Sequence, residues 1–314
     1  MGPDDGYANV GSERSVSCHT VSKRRKHHRA DSAKPRKEKV RDVFVARPFE
    51  NLPNEGDWVA MRELLPAATA ELKLASEYSD QVGDRKITLT TVLPLAWPAM
   101  SRADGEVFVA MQRQFQSGDL SRDVAASLLA ALSSQPGKPV AVPSRPGPGP
   151  RMQDLLNGEP LDIKLHDTFD YWLADDATSN PQVQASMERA NESIFPTKKL
   201  DGVDGGYWCV TPERSHVRIV LPQDEDSALN ALARLRAADD LKLVDDSKFA
   251  GMFRAHGLLV PVWDLAQDTD AKDCHAPAAA FMDRYLKALE STEPLDSAAR
   301  RAKDGLIGRQ MTLR

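Results

Sequence analysis

The sequence has few cysteines, few aromatic residues and no long apolar run. Its 314 residues include only Cys18, Cys209 and Cys274, and no C-x-x-C pair. An odd and sparse set of cysteines is typical of free thiols in a reducing cytoplasm. No segment approaches the roughly 18 consecutive apolar residues of a membrane-spanning helix, and no apolar run follows the first basic residues as in a secretory signal. We therefore predict a cytoplasmic protein without a membrane span.

The sequence also lacks the motifs of several enzyme classes. It contains no G-x-x-x-x-G-K-[ST], no G-x-G-x-x-G, no G-x-S-x-G and no H-E-x-x-H. These patterns mark phosphate-binding loops, dinucleotide-binding turns, serine-hydrolase elbows and zinc peptidases. We therefore predict no cofactor, no metal and no catalytic residues, and we favour a non-enzymatic protein. An enzyme with an unrecognised site is kept as an alternative.

Basic residues are concentrated at the start of the chain. Residues 1–47 carry 12 Lys and Arg against 6 Asp and Glu, a net charge of +6, whereas the rest of the chain carries −11. The larger apolar side chains between residues 11 and 42 are isolated valines, too few to offset the entropy of ordering, so a disordered basic arm is predicted. The residues predicted to bind nucleic acid are Lys23, Arg24, Arg25, Lys26, Arg29, Lys34, Arg36, Lys37 and Lys39.

This arm has two interpretations. It could contact RNA, DNA or the ribosome with salt-dependent affinity, because counterions are released from the phosphates, or it could be a solubilising tail that folds back on the acidic body. No Phe, Tyr or Trp interrupts the basic run, so we expect no stacking platform within it. We also expect that Val21 reflects an alternative initiation codon and that residues 1–20 are an upstream extension.

A segment rich in proline and glycine divides the rest of the chain. Nine of the 16 residues in 135–150 are Pro or Gly, a composition that neither a regular helix nor a central strand tolerates. We predict an α+β fold with two small mixed domains joined by this linker. The predicted organisation is a disordered arm at 1–46, an N-terminal α+β domain at 47–134, the linker at 135–150, a C-terminal α+β domain at 151–292 and a tail at 293–314.

Hydrophobic periodicity and capping residues predict the main elements. Helices are expected after Asp57, after Asp119 or Ser121, over 181–194, after Asp226 or Ser227, over 277–290 and after Asp296, with a short one over 167–174. Strands are expected at 87–93, 106–112, 160–166, 207–210, 217–221 and 258–263, the last as an edge or bulged strand because it contains Pro261. A further helix is predicted after Ser247, with Phe249, Phe253 and His256 on one face and Gly257 at its end.

Three small clusters could carry chemistry. Cys274 and His275 with Asp273 could bind a metal, but adjacent ligands alone do not close a tetrahedral site. His166 and the carboxylates that follow it could form an acidic pocket, although solvated helix caps explain the same residues. His256 is interpreted as a packing histidine rather than a catalytic one. A V-L-P tripeptide at 92–94 and again at 220–222 leaves a diverged duplication open.

Five segments resemble an uncharacterised actinobacterial family, a domain of unknown function. They are R-P-F-E-N-L-P at 47–53, L-L-P-A-A-T-A at 64–70, T-V-L-P at 91–94, V-P-V-W-D-L at 260–265 and R-Q-M-T-L-R at 309–314. The resemblance covers roughly 23–314 and implies a short basic tail. Automated labels for the family include a SecA-like preprotein translocase and a topoisomerase. This sequence lacks the nucleotide-binding loops of the SecA motor and the ATPase apparatus of a type II topoisomerase, so the resemblance implies no catalytic residues.

The predicted function is a non-enzymatic cytoplasmic accessory factor whose basic arm contacts nucleic acid or the ribosome. A protein–protein adaptor, acting on a protein partner through the acidic body or the C-terminal tail, is the alternative.

Overall fold

The computed structural model describes residues 42–138, 140–142, 145–173, 181–266 and 268–309. All of these residues belong to one compact unit that covers Val40–Arg314. The described part contains two five-stranded sheets together with helices, which confirms the α+β class. None of the described helices is both long and apolar enough to cross a membrane.

The first sheet is mixed. Its strands are β1 (Ala68–Glu71), β2 (Ile87–Thr90), β3 (Ala99–Ser101), β4 (Val107–Ala110) and β5 (Ile163–Leu165), in the order β3-β4-β2-β1-β5. β2 and β4 are parallel and the other neighbours are antiparallel. The described α-helices of this half are α1 (Glu55–Glu63), α2 (Ser79–Val82), α3 (Leu120–Leu132), α4 (Met152–Leu155) and α5 (Pro181–Asn191).

The Pro/Gly-rich segment lies between elements of this first half. It leads from α3 to α4, and the first sheet is completed only by β5, which comes after it. The Arg122 guanidinium of α3 donates to the carbonyl oxygens of Gly147, Pro148 and Pro150 at 3.0–3.3 Å. The last part of the segment is therefore held on α3, and the change from one sheet to the other falls after residue 165. That the two halves are separate domains stays a prediction.

The second sheet is entirely antiparallel. Its strands are β6 (Thr197–Lys199), β7 (Gly206–Val210), β8 (Ser215–Ile219), β9 (Lys248–Ala255) and β10 (Leu258–Leu265), in the order β6-β7-β8-β10-β9. The helices that follow its strands are α6 (Glu225–Ala237), α7 (His275–Leu289) and α8 (Ser297–Ile307). Because the two sheets differ in strand direction, the architecture gives no support to a duplication.

Apolar side chains cover both faces of the second sheet. Along β10, Leu258, Val260 and Val262 belong to the core that includes α1 and the first sheet, whereas Leu259 and Trp263 belong to the core formed with α6, α7 and α8. Successive side chains of a strand point to opposite faces, so a strand covered on both sides is apolar throughout. This explains the unbroken apolar run that predicted the strand.

The helix predicted after Ser247 is wrong, because these residues form β9. His256 and Gly257 have φ values of 48° and 83°, and they form the two-residue turn between Ala255 and Leu258, which are paired. Positive φ at both central residues is the requirement of a type I′ hairpin turn. Since His-Gly is not among the usual sequence signals for that turn, the spacing of Phe249 and Phe253 suggested a helix instead.

Other predictions are corrected in detail. Asp57 does not cap α1 but lies inside it, and Asn54 occupies the cap position. The short helix expected over 167–174 is a single 3₁₀ turn, Asp170–Trp172, in its described part. The strand with Pro261 lies inside the sheet rather than at its edge, and the expected bulge follows at Val262/Trp263.

Two of the predicted helix caps, Asp119 and Asp296, are confirmed. The carboxylates of Asp119, Asp224 and Asp296 accept backbone N–H groups at the first turns of α3, α6 and α8. Asp224 replaces the expected Asp226 or Ser227. Carboxylates at these positions also complement the positive end of the helix dipole.

Candidate anion-binding cleft

The nine arm residues predicted to bind nucleic acid lie outside the described residues. What the structure describes of the arm is its last part, residues 42–46, which we call the root of the arm. The Val45 N–H donates to the Gly118 carbonyl at 2.8 Å, and the Gly118 N–H donates to Asp42 Oδ1 at 2.7 Å. The chain that follows the arm is thereby fixed to the loop before α3.

A basic cleft lies where α6, α8 and β9 meet. Two cavities of about 220 and 290 Å³ lie there, and both are lined by Arg236, Phe249 and Arg309. Arg301 lines the first cavity, and Lys242 and Lys248 line the second together with one carboxylate, that of Asp239. We call this region the basic cleft, and its cationic residues are Arg236, Lys242, Lys248, Arg301 and Arg309.

Three elements of the second half position these side chains. Arg236 is in the last turn of α6, Arg301 is in the middle of α8, and Lys248 is the first residue of β9. The carbonyl of Arg309 accepts the Met252 N–H at 3.4 Å, which holds the chain after α8 against β9. The packing of α6 on α8 and the attachment of α8 to β9 therefore bring the cations together.

A buried aromatic side chain forms the floor of the cleft. Phe249 is almost fully buried, and its ring lies edge-on to Trp263 with the centroids 5.7 Å apart. At the rim, Gly305 lies within α8, and a Cβ placed there would meet no atom within 4 Å. The cleft thus has a rigid apolar base and an open edge.

The charges of the cleft are largely not neutralised within the described chain. Lys242 forms an ion pair with Asp239 at 3.7 Å. Among the described residues, no carboxylate lies within ion-pair distance of Arg236, Lys248, Arg301 or Arg309. By contrast, Arg254 on the same strand as Lys248 contacts Glu225 at 2.7 Å. Four unpaired cations around one concavity make a site for an anion, and guanidinium groups match phosphate and carboxylate geometry.

Helix-end electrostatics explain only part of this cluster. Cations are favoured near helix C-termini, and this accounts for Arg236 and Arg309, which lie at the ends of α6 and α8. It does not account for Arg301 in the middle of α8 or for Lys248 at the start of β9. Helix-end electrostatics therefore do not explain why Arg301 and Lys248 line this cleft.

The carboxylates suggested to form a pocket with His166 do not hydrogen-bond to it in the described structure. His166 Nε2 lies 2.8 Å from Thr69 Oγ1, and the ring packs on Tyr171 with centroids 4.6 Å apart. Burial lowers the pKa of His166, so it is neutral near pH 7. Asp167 and Asp170 are exposed, and the two acidic residues that follow lie outside the described residues. The Thr–His contact resembles a nucleophile–base pair, but no described carboxylate hydrogen-bonds to the ring.

His256 and His275 have hydrogen-bonding partners, and the two described cysteines are buried free thiols. His256 Nε2 lies 2.8 Å from Glu63 Oε1, in agreement with a packing role. The Asp201 N–H donates to His275 Nδ1 at 2.8 Å. Cys274 is fully buried, and burial raises its pKa to about 11. Among the described residues, no group of three His, Cys, Asp or Glu side chains could hold a metal ion.

The structure therefore defines an α+β protein with two sheets and a basic cleft on an otherwise acidic body. The chain belongs to DUF5926, a family of unknown function whose model matches residues 48–314. This confirms the resemblance to an uncharacterised family, and the match begins after the basic arm. Neither the curated proteins nor the solved structures contain a match to this chain.

Proposed function

We propose that this protein is a non-enzymatic cytoplasmic accessory factor that binds RNA or DNA, free or in the ribosome, through its basic arm and its basic cleft. The supporting observation is the distribution of positive charge. The body carries a net −11, yet four cations of the cleft have no acidic partner among the described residues. A polyanion is repelled by most of such a surface and attracted to its two basic elements.

The basic arm and the basic cleft would contribute to affinity in the same way. Each phosphate that is neutralised releases counterions, so the logarithm of the binding constant falls with the logarithm of the salt concentration by about 0.7–0.9 per contact. The nine arm residues named above and the four unpaired cleft cations would therefore give a steep salt dependence. Phosphate contacts position a nucleic acid without reading its sequence, so little sequence preference is expected.

Binding of labelled RNA and DNA at 50 and 200 mM salt tests this function. We expect deletion of residues 21–41 to lower both the affinity and the salt slope, and Arg301→Ala to lower them less. Arg300→Ala is the matched control, because Arg300 is adjacent on α8 and exposed but does not line the cleft. No binding by the full chain, or unchanged affinity after deletion of 21–41, would refute the proposal.

A protein–protein adaptor is the second candidate. Leu286 on α7 and Ile307 at the end of α8 are exposed apolar side chains, and Ile307 lies within the C-terminal tail at 293–314 that could dock on a partner. Affinity purification with and without nuclease separates the two functions. A protein partner that survives nuclease and is lost in an Ile307→Asp variant supports the adaptor.

A further inference from the structure

The root of the arm carries an exposed apolar surface. Within the part of the chain that the structure describes, eight large apolar side chains are exposed, and five lie on three loops at this root. They are Val43, Phe44, Leu95, Trp97 and Phe115, with exposed fractions from 43% to 82%. We call these five residues the root patch. Exposed apolar residues are unremarkable when scattered, but a contiguous set marks an interaction surface.

Backbone contacts join the three loops. Besides the two hydrogen bonds that fix Asp42 and Val45 to Gly118, a Cβ at Gly118 would lie only 2.8 Å from the Cα of Phe44. The Gln114 side chain donates to the Leu95 carbonyl at 2.7 Å, and the Gln114 N–H donates to Ala96 at 3.3 Å. The loops that carry Phe44, Leu95 and Phe115 are therefore neighbours.

The loops of the root patch are fixed. Arg113 Nε donates to the Phe115 carbonyl at 2.6 Å, and its Nη1 donates to Ser127 Oγ at 2.9 Å on α3. Leu95 and Ala96 have φ values of 56° and 50°, a left-handed conformation that is unfavourable for residues other than glycine. A loop held in this conformation presents Leu95 to solvent at a cost in free energy, which is consistent with a ligand-binding surface.

We propose that Phe44 and Phe115 form a platform on which the bases of a single-stranded nucleic acid stack. This inference rests on the proposed function, because it assumes that the arm brings the nucleic acid to its root. Phe44 is three residues after Arg41, the last basic residue of the arm. A nucleic acid bound by the last basic residues of the arm would therefore be close in sequence to Phe44. At this root Arg145 forms an ion pair with Asp42 at 3.8 Å, so these two side chains add no net charge.

Charge favours a nucleic acid over a protein as the occupant. Protein interfaces are depleted of charged residues at their centre, whereas Val43 and Phe44 of this patch directly follow the most basic segment of the chain in sequence. A combination of cations with exposed aromatic rings is the arrangement by which proteins bind single strands. In a duplex the base faces are covered by neighbouring bases, so the rings would contribute only to single-stranded binding. Phe44 follows the basic run in the sequence and Phe115 is on a different loop, which is why the basic run itself contains no stacking platform.

The test compares single-stranded and duplex oligonucleotides of 20 nucleotides and 20 base pairs with the full chain. Phe44→Ala combined with Phe115→Ala should weaken single-stranded binding about tenfold or more and change duplex binding less than twofold. The salt slope should stay the same, because no charge is removed. Phe195→Ala is the matched control, since Phe195 is also exposed but precedes β6.

The outcomes separate this inference from the proposed function. If the wild-type chain binds neither oligonucleotide, the proposed function fails. If it binds both and the double variant binds both unchanged, the stacking platform is refuted while the proposed function stands. If the double variant loses a nuclease-resistant protein partner and keeps single-stranded binding, the patch is a protein-docking surface and the inference is overturned. Phe44→Trp should retain single-stranded binding, which keeps the test decisive even if the double variant is less stable.

Discussion

Two charged clusters in this molecule differ in how their charges are satisfied. Asp57 is completely buried in α1, and its carboxylate accepts hydrogen bonds from the Tyr207 hydroxyl at 2.8 Å, the Gly205 N–H at 3.1 Å and Lys199 Nζ at 2.8 Å. In the basic cleft, Arg236, Lys248, Arg301 and Arg309 have no acidic partner among the described residues. Removing one partner of a fully partnered buried charge is strongly destabilising, whereas unpaired cations at a solvent-open concavity are available for a ligand.

The surroundings of Asp57 support this structural role. Burial and the neighbouring Asp57 carboxylate raise the pKa of Tyr207 strongly, so its hydroxyl stays protonated and donates. Gly205 has a φ of 67°, and a Cβ there would lie 3.1 Å from the Cβ of Val220 and 3.3 Å from the Cα of Gly56. Only glycine allows the start of α1 to approach the second sheet so closely. The Asp57 cluster thus joins the first helix to the second sheet.

The largest expected effect is the loss of the Asp57 carboxylate. Asp57→Ala leaves the Tyr207 hydroxyl and the Gly205 N–H buried without an acceptor, so we expect the free energy of unfolding to fall by about 3 kcal/mol. Urea denaturation followed by circular dichroism measures this. Asp283→Ala on the exposed face of α7 is the control and should change stability by less than about 0.5 kcal/mol. If Asp57→Ala and Asp283→Ala lowered stability equally, the structural role of the Asp57 cluster would be contradicted.

The thiol of Cys274 is buried in the core formed with α6, α7 and α8, so its titration should show the effect of burial. The pKa of Cys274 is about 11 in the folded protein, above the value near 8.5 of an exposed thiol. The unfolded chain therefore loses this proton first, so the free energy of unfolding should decrease by roughly 2 kcal/mol as the pH rises from 9 to 11. Denaturation at these pH values should show a smaller decrease for Cys274→Ala than for the wild type. If the free energy of unfolding decreases equally in the wild type and in Cys274→Ala between these pH values, the raised pKa of Cys274 is refuted.

Charge reversal inside the basic cleft should affect binding without affecting stability. Arg301→Glu places a carboxylate among the remaining cations, so we expect about a tenfold loss of affinity for RNA at 100 mM salt, or about 1.4 kcal/mol. Arg300→Glu, one residue away and outside the cleft, should lose less than threefold. The denaturation midpoints of both variants should match the wild type. If Arg301→Glu unfolds the protein, its role is structural and resembles that of Asp57.

The smallest expected effect concerns the rim of the cleft. Because a Cβ at Gly305 meets no neighbour, Gly305→Ala should stabilise α8 by about 0.5–1 kcal/mol and leave RNA binding unchanged. Gly305→Glu keeps every cation but introduces an acid at the rim, so its affinity should fall while its stability does not. Equal binding by the Ala and Glu variants would argue against a ligand in the cleft.

Short-range sequence patterns, such as apolar periodicity and capping residues, predict the elements whose determining residues lie within a few positions of one another. The periodic apolar residues of α7 and the caps Asp119 and Asp296 are examples, because a helix is formed by contacts three and four residues apart. The sequence does not predict β9, because the pairing of this strand and its bulge at Ala250 depend on β10. The local sequence favours Asp57 as a helix cap. Its three hydrogen-bond partners are about 140–150 residues away, so no neighbouring residue indicates its buried position.

The sequence by itself determined the uneven charge distribution, the basic arm and the α+β class, because composition and short-range periodicity are properties of neighbouring residues. Only the tertiary structure decided that Arg236, Lys248, Arg301 and Arg309 surround one cleft, and that Phe44 lies beside the loop of Phe115. These sites are formed by long-range packing of helices and loops, and no spacing in the chain records which distant residues that packing brings together.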